Sequence, residues 1–144
     1  KNDNNYKKVL SKTLNLLSKK NYSEHELREK LNLYDNQIVE KVITKLKESN
    51  LIDDKKYAEN IVEKSLKKGK GLYYIINILR KKGIDENIIN QIKENFDFGQ
   101  EYKVVQSLIN KIKRKKGYKS LFLFLKSRGF STETINKLME KYGE

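Results

Sequence analysis

Lysine and arginine gather in short runs along this chain, and their spacing is the feature most able to do chemistry. Lys67, Lys68 and Lys70 form one run. Lys113, Arg114, Lys115 and Lys116 form another, with Lys119 just beyond. Arg80, Lys81 and Lys82 make a third, and Lys126 with Arg128 a fourth. Cations in the last turn of a helix complement its macrodipole by a few tenths to about 1 kcal/mol. That effect explains runs at helix ends, but not four consecutive cations at 113–116. Three tyrosines adjoin the runs: Tyr73 and Tyr74 after Lys70-Gly71, and Tyr118 between Gly117 and Lys119. A tyrosine beside lysines can stack on an unpaired base, worth about 1–3 kcal/mol. Core packing is the competing use for at least one of Tyr73 and Tyr74.

Other chemistries find little material. The chain has no Cys, which removes disulfides, thiolate metal sites and cysteine nucleophiles together. His25 is the single imidazole; it lies between Glu24 and Glu26, as a solvated first-turn residue does, and a metal site would need partners. Gly69-Lys70-Gly71 lacks the long glycine loop and the Ser or Thr of a phosphate loop. Asp53-Asp54 reads as helix capping more simply than as a magnesium site. No catalytic group, metal or cofactor is expected.

The whole chain shares the bias of its runs. Its 144 residues carry 32 Lys plus Arg against 19 Asp plus Glu, a formal charge of +13. That charge points to a polyanionic partner, either nucleic acid or an acidic protein surface. Residues 1–52 contribute +4, 53–97 contribute +2 and 98–144 contribute +7. No apolar stretch approaches the roughly 18 residues of a membrane span. The expectation is a soluble, cytoplasmic, monomeric protein. Because Lys1 is not Met, the sequence is expected to begin inside a longer one.

The elements that must position the runs are helices. There is no proline and apolar residues recur at helical spacing: Leu10, Leu14 and Leu17; Val39, Val42, Ile43 and Leu46; Ala58, Ile61, Val62 and Leu66; Val104, Val105, Leu108 and Ile112. Ser23 with Glu26 reads as a capping box, and Asp35, Asp53, Asp85 and Ser131 as N-caps. Gly69 or Gly71, Gly83 and Gly129 stand where left-handed C-caps stand. The pattern predicts nine helices, near 5–20, 24–32, 36–49, 54–68, 72–82, 86–96, 100–116, 118–128 and 132–142.

A shift of 46 residues superimposes 67–96 on 113–142 with eight identities, among them Gly71/Gly117, Leu79/Leu125, Gly83/Gly129 and Asn90/Asn136. A weaker copy precedes them, in which Leu27 and Leu31 match Ile75 and Leu79. The fold class expected is therefore all-α: tandem three-helix repeats at 1–52, 53–97 and 98–144, stacked into an elongated, curved array. A unit of about 45 residues buries too little apolar surface to stand alone, so neighbours must stack. The middle helices, 72–82 and 118–128, are apolar on most sides and are expected to be buried between units.

The segment Leu51-Ile52-Asp53-Asp54-Lys55-Lys56-Tyr57-Ala58, then Lys70-Gly71, then Leu79-Arg80-Lys81-Lys82-Gly83-Ile84, resembles the signature of the RecX family. The likeness is clearest in the second unit. The first departs from it, with Asn32-Leu33-Tyr34-Asp35 in place of a Lys-Gly corner. The resemblance implies a non-enzymatic regulator of the RecA recombinase. Such a protein lies along the groove of the recombinase filament on single-stranded DNA and suppresses ATP hydrolysis and strand exchange. The resemblance also implies single-stranded DNA as a further partner, since some members of the family bind DNA directly. One rival reading is a plain nucleic-acid binder using 72–82 and 86–96 as a helix-turn-helix; another is a helical scaffold for some other acidic protein.

Overall fold

The computed structural model of the protein describes residues 2–112 and 118–142, with side chains at 4–111 and 120–141. Nine helices and no strand occur among them. They are α1 (Asn2–Lys19), α2 (Glu24–Lys30), α3 (Asn36–Glu48), α4 (Asp54–Lys67), α5 (Leu72–Lys81), α6 (Glu86–Glu94), α7 (Phe98–Ile112), α8 (Tyr118–Ser127) and α9 (Thr132–Tyr142). Helices α1 and α7 begin ahead of the apolar periodicity, at Asn2 and Phe98 rather than 5 and 100.

Local chemistry sets the boundaries. The Ser23 side chain accepts the Glu26 N–H while Glu26 accepts the Ser23 N–H, completing the capping box of α2. Asp35, Asp53 and Asp85 accept the N–H groups of Gln37, Lys56 and Asn87, and Ser131 accepts that of Thr134. Of the two candidates after α4, Gly69 takes the left-handed conformation (φ +78°), whereas Gly71 is extended and forms the N-cap of α5. Asn50, which the sequence pattern did not single out, turns the chain after α3 at φ 60°.

Buried side chains gather in three clusters. Val9, Leu27, Leu31, Val42 and Ile43 build the first. Ala58, Ile75, Leu79 and Ile89 anchor the second, and Val105, Ile109, Leu125, Ile135 and Leu138 the third. Each such Leu or Ile, fully withdrawn from water, contributes about 1.5–3 kcal/mol. The chain exposes 9752 Å², against about 7,800 Å² for a compact globule of its 17.1 kDa mass. The excess fits an elongated molecule.

The middle helices depart from the expectation of burial between units. Helix α5 buries Leu72, Ile75, Ile76 and Leu79 largely against α4 and α6 of its own group, and Tyr73 stays exposed. In α8, Leu121 and Leu125 are buried but Leu123 is 57% exposed. The third group meets α5 mainly through backbone at Gly71 and Tyr73, which leaves the Tyr73 side chain outside, and among the described residues no further group packs on α8 in the same way.

Two such joints are built alike. At the first, the Ser23 hydroxyl donates to the Lys82 carbonyl (2.6 Å), and the Glu24 N–H donates to Asp54 Oδ1 (2.9 Å). At the second, the Gly71 N–H donates to the Arg128 carbonyl (3.1 Å) and the Tyr73 N–H to that of Gly129 (2.8 Å). The Leu72 N–H donates to Glu101 Oε2 (2.9 Å). In each case an acid from the start of the next group's long helix caps the preceding middle helix. Glycine allows the second joint to close: a Cβ on Gly71 would lie 2.4 Å from the Phe130 Cα, and one on Gly129 2.4 Å from the Tyr74 nitrogen.

Candidate polyanion-binding surface

The second joint collects cations from two of the expected runs. Lys68, the exposed C-cap of α4, precedes the Gly69 turn. Lys70 follows it, with its ammonium 4.9 Å from the Tyr74 ring centroid. Arg128 arrives from the turn between α8 and α9. Its guanidinium lies 4.9 Å from the Phe124 ring and beside Gly69, where a Cβ would meet Arg128 Nη1 at 3.9 Å. Its buried Nε meets no acceptor among the described residues. Rings under two of these cations hold them without neutralising them. Among the described residues, no carboxylate pairs with Lys68, Lys70, Lys81, Lys126 or Arg128.

The remaining cations divide. Lys67 pairs with Glu63 (3.2 Å) and Arg80 with Glu86 (3.0 Å), both at exposed positions where an ion pair is worth little. Lys126 donates to the Thr132 hydroxyl (2.8 Å), which leaves its charge unpaired. Lys82 is drawn toward the first joint, 3.2 Å from Glu26 Oε2, so its charge is partly offset there. Lys113, Arg114, Lys115 and Lys116 lie outside the described residues, as do the side chains of Tyr118 and Lys119. Of the tyrosines, Tyr73 is 53% exposed and open to stacking, while Tyr74 is half-buried beneath Lys70 and against Gly129.

Sequence reasoning missed the acids that hold this surface together. Glu101 is wholly buried; besides Leu72 it accepts the Ser131 N–H (3.2 Å) and the Ser131 hydroxyl (2.6 Å). Glu26 accepts the Tyr57 hydroxyl (2.8 Å) as well as bonding Lys82. Burial alone would raise the Glu26 carboxyl, but the Ser23 N–H, Tyr57 and Lys82 together hold it below its ordinary value. Burial, and then the hydrogen bond to Glu26, push the Tyr57 phenol well above its ordinary 10.0. Burial also raises Asp54. His25 is half-exposed, 2.9 Å from Glu29, and its ring covers Gly83 so closely that any Cβ there would collide with it. Asp54 and Glu101 both lie in the first turn of a long helix, but the repeat shift places Asp54 on Gln100 rather than on Glu101, so the alignment did not reveal them.

Among the described residues, no three His, Cys, Asp or Glu side chains gather as metal ligands do. No helix there is long and apolar enough to cross a membrane. What the arrangement offers is cationic recognition from a fixed frame.

A tandem array of three-helix groups, locked turn-to-helix and carrying unpaired cations at its second joint, defines a helical-repeat protein with a cationic binding surface. A sequence model described as RecX, second three-helix domain, matches residues 53–91. The chain is 32% identical over 148 residues to the regulatory protein RecX of Clostridioides difficile, covering 96% of this chain and 70% of that protein. It is 28% identical to the RecX of Prosthecochloris aestuarii, covering 96% of both. The crystal structure of RecX from Lactobacillus salivarius superimposes with a TM-score of 0.85 at 25% identity, over 96% of this chain and 97% of the other. The chain belongs to the RecX family, whose curated members matched here are named regulatory proteins rather than enzymes.

Proposed function

We propose that this protein acts in the cytoplasm as a monomer, binds RecA-type recombinase filaments on single-stranded DNA, and inhibits their ATPase and strand exchange. The observation that carries the reading, beside the family, is the set of unneutralised cations at the second joint: Lys68, Lys70 and Arg128. They stand on a frame of interlocked backbone, so binding need not order the main chain that carries them, although each exposed lysine side chain still loses about 0.5–1.5 kcal/mol of rotamer freedom. A long molecule with unpaired cations at its second joint suits a negatively charged surface. Spanning neighbouring subunits would favour one filament arrangement over those that ATP turnover must visit. It would also occupy space needed by an incoming duplex.

The helix-turn-helix alternative fits less well. Its reading helix would be α6, Glu-Asn-Ile-Ile-Asn-Gln-Ile-Lys-Glu, which carries two carboxylates and one lysine. Phosphates would repel it.

The test is binding at matched salt. A filament regulator retains affinity for recombinase-coated single-stranded DNA at salt concentrations that release it from naked DNA. A DNA-only binder loses both together, at roughly 0.7–0.9 log units per log unit of salt for each phosphate contacted.

A further inference from the structure

The two joints share a plan but not a chemistry. At the second, two backbone-to-backbone hydrogen bonds cross, from Gly71 to Arg128 and from Tyr73 to Gly129. Two glycines let main chain touch main chain or the Tyr74 Cβ, and the linking carboxylate of Glu101 is wholly buried. Helix α4 packs on α7, and Val104 lies against both the second and the third core. These features are those of a continuous interior.

At the first joint one such close approach remains, Gly83 beneath the His25 side chain, and the other features are missing among the described residues. Among the described residues, no backbone-to-backbone hydrogen bond crosses it. Nor, among the described residues, does any apolar side chain belong to both the first and the second core. The crossing contacts are side-chain ones. The Ser23 hydroxyl reaches the Lys82 carbonyl, Asp54 accepts the Glu24 N–H, and Glu26 is shared by Tyr57 and Lys82. The Lys82 side chain is 38% exposed and that of Glu26 17%. Open clefts flank the joint on more than one side. One, of about 760 Å³, runs between Arg28, Lys47 and Asp85. Others, of about 370 and 480 Å³, separate Leu17 and Asn21 from Tyr57 and Asn60.

We propose that the first joint is an ionic hinge: residues up to Ile52 move as one body against a second body formed by everything after Asp53, and salt loosens the connection. The pivot is the Ser23–Lys82 and Glu24–Asp54 crossing. The Glu26–Lys82 pair is the element that solvent ions weaken, because its partners reach water; Glu101 is shielded from them. Raising salt from 0.1 M to 1 M shortens the screening length from about 10 Å to about 3 Å. The inference concerns the free chain and does not depend on which polyanion it binds.

Paired spin labels test it directly, since the chain has no cysteine of its own. Lys41, Asn90 and Asn136 are exposed positions on α3, α6 and α9. Labels on Lys41→Cys with Asn90→Cys should give a distance distribution about twice as wide as labels on Asn90→Cys with Asn136→Cys, as a polar joint against a buried one predicts. Salt at 1 M, or Lys82→Met, should widen the first distribution and leave the second unchanged. Lys82→Met spares the Ser23–Glu26 capping box, so helix α2 keeps its start. Equal widths in the two pairs overturn the proposal. So does a first distribution indifferent to both salt and Lys82→Met, or one that widens only in step with the second.

Discussion

Removing the Glu101 carboxylate should loosen the second joint from within. In Glu101→Ala, the Leu72 and Ser131 N–H groups lose their acceptor, and the Ser131 hydroxyl loses a 2.6 Å partner. A buried polar group left without a partner costs about 1–3 kcal/mol. With two backbone donors stranded, the expected loss is about 2–5 kcal/mol, a large share of the 5–15 kcal/mol that holds a typical domain. Glu101→Gln is the sharper probe because it preserves shape. A carboxylate accepts through both oxygens, whereas an amide has one acceptor and turns an NH₂ toward one of the donors. It should lose about 1–3 kcal/mol. Glu133→Ala, at an exposed acid on α9, should fall within about 0.5 kcal/mol of the parent. Urea unfolding followed by circular dichroism reads all three, with the midpoint as the compared quantity. A midpoint for Glu101→Ala no lower than that for Glu133→Ala would refute the role given to this carboxylate.

Three further outcomes are expected. Gly129→Ala, with φ at +82° and a Cβ 2.4 Å from the Tyr74 nitrogen, should unfold earlier than Gly69→Ala, where the conformation costs about 1–2 kcal/mol but the nearest atom is an ordinary 3.5 Å away. Thermal melts would compare the two. Glu24 and Glu26 are held below their ordinary 4.5 by Lys47 with Arg28, and by Ser23, Tyr57 and Lys82, against the opposing effect of burial. Their contribution is therefore present above that value and lost as pH falls through the depressed ones, so Glu26→Gln should lose less stability than the parent between neutral pH and about pH 3. Asp54, raised by burial, works in the opposite sense but does so in both proteins, and so leaves their difference unchanged. Lys68→Glu with Lys70→Glu should weaken filament binding severalfold while leaving the circular dichroism spectrum unchanged, since neither ammonium pairs with a carboxylate among the described residues.

Much of the architecture could be read from local signals. Ser23, Asp35, Asp53 and Asp85 cap helices because a short acceptor before an apolar period has few better uses. Gly83 and Gly129 turn left-handed because only glycine does so cheaply after a basic last turn. The joints were less legible. Asp54 reaches Glu24, Tyr57 reaches Glu26 and Glu101 reaches Ser131 across about thirty residues, and a repeat aligns positions without saying which acid crosses. The same gap hid the use of Lys82: a run of three cations looks uniform in sequence, yet one of them faces a carboxylate of another group. The full burial expected of the apolar middle helices failed at Leu123 because, among the described residues, no further group packs on α8 as the third group packs on the start of α5.

The central claim is restraint of a recombinase filament, and the DNA-dependent ATPase of the cognate recombinase, titrated with this protein, tests it most directly. Hydrolysis should fall with added protein at concentrations that leave naked single-stranded DNA mostly free, and the Lys68→Glu, Lys70→Glu variant should need severalfold more for the same effect. An ATPase rate unchanged up to concentrations that coat the DNA itself would contradict the account.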